Sequence, residues 1–268
     1  MAQSESTIQV PNTWYDDVMF KPLYLEFYEQ SDFANFGLWN ESTIGPRQAC
    51  ENLVNRLQEL LPDKRGTILD VACGKGETTR CLLANYTPEA ITAINISERQ
   101  VEHGRTLVPG ADFRCMDAVN MDFADESFDN IICVEAAFHF DTREKFLREA
   151  LRVLKPGGTL ALSDILMTLE GERARPYRTE ANYLPSIEAY RDLIEAVGFT
   201  DVRIEDVTEQ SWFPFFRYTV NFLHEKFLRR QIDEPTLKRH LGTNYGHVPD
   251  LEHYLIVSAR KPSTKSTN

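Results

Sequence analysis

Two groups of residues in this chain have types and spacings suited to chemistry. The first is the run Ile68-Leu69-Asp70-Val71-Ala72-Cys73-Gly74-Lys75-Gly76-Glu77-Thr78, an apolar stretch that leads into a Gly-x-Gly turn and then a helix-compatible segment. Glycines at 74 and 76 let backbone approach a ligand closely, and a helix opening there presents unpaired N–H groups. Dinucleotide sites use a similar turn, but here the third glycine of Gly-x-Gly-x-x-Gly is replaced by Thr79. Glu77 also places a negative charge at the helix start, where a pyrophosphate would be repelled. The turn suits a phosphate-free ligand whose cationic end Asp70 meets, directly or through water. The second group is Glu135-Ala136-Ala137-Phe138-His139-Phe140 together with Ser163-Asp164. An imidazole within reach of a carboxylate can take a hydroxyl proton while the carboxylate orients the ring and stabilises its cation. A lone histidine among apolar residues is more often a packed structural one, so its position must decide.

Both groups fall at the ends of strand-like runs. Strands are expected at Thr67–Ala72, Ala90–Asn95, Asp112–Met116, Asn130–Val134, Thr159–Ser163, Val202–Val207 and His253–Ala259. The first five read as near-continuous apolar runs, as in a parallel sheet covered on both faces. Helices are expected at Glu77–Leu83, Glu98–Leu107, Arg143–Leu154 and Ile187–Val197. Asp141 with Glu144 resembles a capping box, Lys155-Pro156-Gly157-Gly158 stops that helix, Ser186 caps the next, and Gly198 closes it. The alternation predicts an α/β fold: a doubly wound, seven-stranded, mostly parallel sheet, whose ligands bind at the carboxyl edge. Two aromatic, helical segments stand outside it: an N-terminal arm and lid over residues 1–62, and a cap insertion at about 208–246 within a domain spanning 63–262. Residues 263–268 read as a disordered tail.

Composition narrows the function. The formal net charge of −12 argues against nucleic acid as a partner, since phosphate binding relies on clustered Lys and Arg. Arg229, Arg230, Lys238, Arg239 and His240 make a weak basic patch that reads as a solvated helix face. No run approaches the ~20 apolar residues of a membrane span, and no signal peptide is visible, so no membrane partner is expected. The cysteines (Cys50, Cys73, Cys81, Cys115, Cys133) are odd in number and lack CxxC spacing, with Cys115 and Cys133 read as small hydrophobes in strands. No metal site is expected, and a reducing, cytoplasmic location is.

In order along the chain come the glycine turn, Asn95-Ile96-Ser97 with Gln100, Met116-Asp117-Ala118, Phe128-Asp129, and Leu154-Lys155-Pro156-Gly157-Gly158. This series, from about Trp14 to Pro262, resembles the class I S-adenosylmethionine-dependent methyltransferases. The resemblance implies S-adenosylmethionine as cofactor, with Asp70, Ala72, Gly74 and Gly76 around its amino acid end. Asn95, Ile96 and Gln100 would hold the ribose, where the wider family usually has an acidic residue. Asp117 would accept from the adenine amino group while Ala118 donates its N–H to the ring. The Glu-x-x-x-His segment followed by an Asp after the next strand is similar to antibiotic-sugar O-methyltransferases. On that likeness His139 is the general base, Asp164 its partner, and Glu135 a substrate, cofactor or backbone contact. Asn35-Phe36-Gly37-Leu38-Trp39 resembles the family's N-terminal aromatic-Gly-aromatic-Trp segment, and Tyr15 and Tyr28 become candidates to cover the sulfonium. One or two rings of the Trp212–Tyr218 cluster should line the acceptor site, the rest being packing.

The expected reaction is in-line methyl transfer to a hydroxyl of a small molecule, a secondary metabolite or its sugar. Such a reaction asks for alignment, water exclusion and a base, with no metal. C-methylation, as in tocopherol- and sterol-type enzymes, and N-methylation stay open. From other classes, a nucleotide-dependent oxidoreductase is disfavoured by the missing glycine, and a silent binding module would bind the cofactor without turnover. The acceptor is not legible from these residues. Oligomeric state is equally open, a homodimer through the N-terminal helical cap being the arrangement that related folds suggest.

Overall fold

Apolar runs too short to bury themselves singly pair edge to edge and are then covered by the amphipathic segments that follow them. In the computed structural model, which describes residues 15–174 and 180–263, seven strands form one sheet. They are β1 (Ile68–Val71), β2 (Ile91–Asn95), β3 (Asp112–Cys115), β4 (Phe128–Val134), β5 (Leu154–Met167), β6 (Thr200–Asp206) and β7 (Leu251–Arg260). Their order is β3-β2-β1-β4-β5-β7-β6, with β7 antiparallel to both neighbours and the other pairs parallel. The expected doubly wound α/β sheet is therefore present. Strand order reverses between β1 and β4, which opens a crevice at their carboxyl ends.

The strands' period of two divides the core. On one face, Leu69 and Val71 of β1 pack with Phe146, Leu147 and Ala150 of α5 (Arg143–Val153) and Tyr190 and Ile194 of α7 (Ile187–Val197). On the other, Ile68 packs with Leu53, Val54 and Leu57 of α2 (Pro46–Glu59) and Phe27 of α1 (Pro22–Phe27). Burying each such side chain contributes about 1.5–3 kcal/mol. Helices α3 (Glu77–Leu82) and α4 (Glu98–Leu107) follow β1 and β2, and α6 (Leu169–Ala174) follows β5. Between β6 and β7 come α8 (Trp212–Leu228) and α9 (Glu234–His247). Phe27 meets Phe215, Tyr218 and Phe222 edge-on at 5.3–5.7 Å between centroids. Phe36 lies against Trp212 and Phe215, and the Trp39 N–H donates to the Gln210 carbonyl at 2.7 Å. The N-terminal segment and the insertion thus share one aromatic layer. Gly37 permits this: its φ is +74°, and a Cβ there would stand 2.5 Å from that of Ala49.

Several local expectations need correcting. Ser186 does cap α7 by accepting from the Ala189 N–H, and Gly198 closes it at φ +118°. The cap of α5, however, is Thr142, which accepts from the Lys145 N–H; Asp141 pairs instead with the Lys145 ammonium. That helix ends at Val153, and the Leu-Lys-Pro-Gly-Gly segment already belongs to β5, because Leu154 pairs with Phe128. At its other end β5 runs past Ser163 to Met167 along β7. β3 is an edge strand in which only Phe113 is buried, so Cys115 is exposed while Cys133 is a core residue. Among the described residues no helix is long and apolar enough to cross a membrane. The residues expected to form a tail fall, beyond Ser263, outside the described ones.

Candidate active site

At the mouth of the crevice two adjacent strands end in residues forced into left-handed backbone, Ala72 after β1 (φ +58°) and Glu135 after β4 (φ +50°). For residues with a Cβ this conformation costs roughly 1–2 kcal/mol each, so surrounding contacts must hold them there. Both line a cavity of about 510 Å³. The wall continues through Gly74, Asn95, Ile96, Gln100, Asp117, Ala118 and His139, and the N-terminal segment closes it with Tyr15 and Asn35. Carboxyl ends of four parallel strands thus bring the candidate residues together.

The glycine turn is built around Gly76, whose φ is +99° and whose missing Cβ would lie 3.1 Å from the Gly104 Cα. Asp70 sits behind this turn rather than on the wall, only 1% exposed. Its Oδ2 accepts from the Thr79 hydroxyl at 2.7 Å, while Oδ1 is buried and finds no hydrogen-bond partner among the described residues. Burial pushes the Asp70 carboxyl up to about 7. Lys75, the middle residue of the turn, points its buried ammonium at the Met19 carbonyl (2.9 Å) and the Asp32 carboxylate. The second oxygen of Asp32 meets His103 Nε2 at 2.6 Å. Glu77 accepts from the Asp32 N–H and pairs with Arg80.

At the end of β2, the Asn95 side chain accepts from the Ile96 N–H and donates to Gln100 Oε1, both at 2.9 Å. Gln100 Nε2 in turn donates to Asp16 Oδ1 at 2.7 Å, and the Ser97 hydroxyl donates to the same carboxylate at 2.8 Å while capping α4. Asp16 was not anticipated; a carboxylate just past a polar arm carries no local signal of the partners it will find. Asp117 accepts from the Val119 N–H at 3.0 Å and lies on the wall beside buried Ala118.

His139 lies on a short turn after β4, and its Nε2 shares a 2.8 Å hydrogen bond with the Tyr15 hydroxyl. Asp164, expected at the imidazole, serves another partner. Its Oδ2 holds Arg143 Nε at 2.6 Å, and Oδ1 accepts from the N–H groups of Phe138 (3.0 Å) and Ile165 (2.9 Å). It supports the turn that carries His139 through the Phe138 backbone. The reason is electrostatic, because Arg143 is buried and a buried guanidinium demands a carboxylate. Tyr28 is likewise displaced from its expected role. Buried in the core, it donates to the Asn35 carbonyl at 3.0 Å and is absent from the wall. The Trp212–Tyr218 rings also stay off the wall. Glu135 Oε2 accepts from the Phe36 N–H at 2.8 Å and the Tyr254 hydroxyl at 2.6 Å. Arg143 and Tyr254 were both missed, since their partners lie far away in sequence.

Charge on the wall is one-sided. Asp32, Glu77, Asp117 and Asp141 contribute carboxylates, and Lys75, the lysine among the described residues of the wall, is already paired. Such a cavity repels phosphates and suits a nucleotide that carries cationic ammonium and sulfonium groups, with the orphan Asp70 oxygen close behind the turn. Fold and wall together define an S-adenosylmethionine site of the doubly wound type.

Comparison with known proteins agrees. A family model described as a methyltransferase domain matches residues 69–162. The 27-O-demethylrifamycin SV methyltransferase of Amycolatopsis mediterranei is 30% identical over 244 residues, covering 84% of this chain and 89% of that one. Erythromycin 3''-O-methyltransferase of Saccharopolyspora erythraea is 26% identical over 258 residues, covering 86% and 84%. Among solved structures, the 4+2 cyclase SpnF superposes with a TM-score of 0.73 at 24% identity, covering 95% of this chain and 97% of that one, a likeness of fold. The chain belongs to the class I S-adenosylmethionine-dependent methyltransferases that act on small molecules.

Proposed function

We propose that this methyltransferase transfers the methyl group to a hydroxyl of an uncharged small molecule, a secondary metabolite or its sugar, with His139 taking the hydroxyl proton. The observation that carries this reading is the Tyr15–His139 hydrogen bond of 2.8 Å on the cavity wall. When bound, the cofactor supplies a methyl carbon activated by a positively charged sulfur. The Ala72–Gly76 turn with Asp70 behind it would hold the amino acid end, Asn95, Ile96 and Gln100 the ribose, and Asp117 and Ala118 the adenine. Tyr15, Met19 and Asn35 cover the cavity and keep water from the reacting atoms. A hydroxyl is a weak nucleophile until its proton has somewhere to go. His139 Nε2 provides that destination, and the Tyr15 hydroxyl lies on the path. Carboxylates on the wall weigh against an anionic acceptor, and the insertion's aromatic rings are spent on packing rather than on a cage for a carbocation. The O-methyltransferase names of the relatives point the same way.

His139→Ala tests the assignment. General-base loss should lower kcat by roughly 10²- to 10⁴-fold while calorimetric affinity for S-adenosylmethionine stays unchanged. Undiminished turnover of a hydroxyl acceptor would end the base assignment.

A further inference from the structure

Glu135 holds a position that proton transfer by His139 does not account for. It follows β4 beside the glycine turn that follows β1, the two strands being paired Val71 to Cys133. Two fixed donors, the Phe36 N–H and the Tyr254 hydroxyl, both bind Oε2 and so set the direction of the side chain. Among the described residues Oε1 accepts no hydrogen bond, and Glu135 forms part of the wall. The charged and titratable groups around it include Tyr254 on β7, Asp164 on β5, Cys50 on α2, Tyr24 on α1 and Tyr28 just past the end of that helix. Of the described cations, Lys75 on the wall is committed to Asp32, and Arg143 to Asp164.

On the cofactor placement given above, we propose that Glu135 is the counter-charge of the sulfonium, neutral in the free enzyme and ionised when the methylated cofactor is bound. It thereby discriminates the cofactor before transfer from the cofactor after it. Burial pushes the Glu135 carboxyl up to about 8 against the hydrogen bonds from Tyr254 and Phe36, so near neutrality the empty site holds a proton. A cation brought beside Oε1 favours the carboxylate, and the proton leaves to solvent. After transfer the sulfur is an uncharged thioether, so the carboxylate loses its partner and regains a proton. The attraction that secures the methyl donor therefore does not retain the product.

Calorimetric titration of the full chain with S-adenosylmethionine and with S-adenosylhomocysteine, each in two buffers of different ionisation enthalpy at about pH 7, counts the protons. The methylated cofactor should release nearly one proton more than the demethylated one. Protons from Asp70, or from the amino group both ligands share, cancel in that difference. In Glu135→Gln, which keeps an oxygen for Tyr254 and Phe36, the difference should vanish. Affinity for S-adenosylmethionine should then fall roughly 10- to 100-fold, with S-adenosylhomocysteine bound as before. Equal proton release by both ligands, or a variant weakened toward both alike, would overturn the proposal and assign Glu135 to the amino acid end. Failure of the wild-type chain to bind either ligand would overturn the cofactor placement as well, and is distinguishable from the other outcomes.

Discussion

Asp164→Asn separates two jobs that one carboxylate could hold. Were Asp164 the partner of the His139 imidazole, the amide would leave stability near that of the wild type and impair turnover through the ring. The structure instead gives the carboxylate to Arg143, with side-chain exposures of 5% for Arg143 and 0% for Asp164 and a contact of 2.6 Å. The other guanidinium nitrogens donate to the carbonyls of Asn182 (2.5 Å) and Ile165 (2.7 Å), neither of which carries a charge. An amide at 164 leaves that buried guanidinium without its hydrogen-bonded carboxylate, with the charge of Glu172 acting on it through space, and breaking such a pair costs about 3–5 kcal/mol. With unfolding entropy of about 2.1 cal/mol/K per residue, 268 residues lose about 1.8 °C per kcal/mol, so calorimetry should show Tm lowered by roughly 5–9 °C. Asn can still accept the Phe138 N–H, which keeps the turn under His139 in place. Well below the transition, kcat should accordingly drop by less than about tenfold, short of the 10²-fold minimum typical of a lost base. Replacing both charges, Arg143→Met with Asp164→Leu, should recover much of the lost stability, because apolar residues of similar volume often substitute neutrally for a buried pair. An Asp164→Asn protein that melts with the wild type yet loses about 10²-fold or more in kcat would refute this reasoning.

Tyr15→Phe removes the hydroxyl from His139 and should lower kcat by about tenfold with cofactor affinity intact, measured by initial rates and calorimetry. Asp16→Ala cuts the links to Ser97 and Gln100, so chymotryptic cleavage after half-buried Phe20 should accelerate several-fold, a change that bound S-adenosylhomocysteine should not fully reverse. Burial keeps Asp70 protonated up to about pH 7 against an ordinary 3.8, so the folded chain holds a proton that the unfolded chain has already lost. Stability from this group therefore declines as pH rises from about 4 to about 7, and Asp70→Asn should melt several degrees above wild type at about pH 8 and level with it at about pH 4.

What was legible in the sequence was local. The apolar runs of β1, β2 and β4, the Ser186 cap and the Gly198 stop all sit in their own segments, and each is found where its signal lies. The outer half of β5 was not legible because Asp164–Met167 is held by antiparallel partners near Leu255, about ninety positions on. Edge exposure of β3 depends on strand order, which no window of sequence contains. In the site, residues at strand ends converge on one cavity because a parallel sheet gathers its carboxyl ends. Which neighbour each side chain takes is a different matter: Asp164 with Arg143, Gln100 with Asp16, and Glu135 with Tyr254 are settled by folding.

Asp70 and Glu135, the carboxyl groups proposed above to meet the cationic portion of the cofactor, are held neutral by burial to about 7 and about 8. Asp32, by contrast, is kept ionised: burial opposes its charge, but Lys75 and His103 outweigh it. Had Glu135 been given a lysine, it would stay charged throughout the cycle and would have no attraction left for a sulfonium. Had it been exposed, its charge would be permanent and screened by water. Leaving it buried, unpaired and half hydrogen-bonded sacrifices stability as pH rises. What this secures is a carboxylate that forms only against a cation, the response needed where the ligand arrives charged at sulfur and departs neutral.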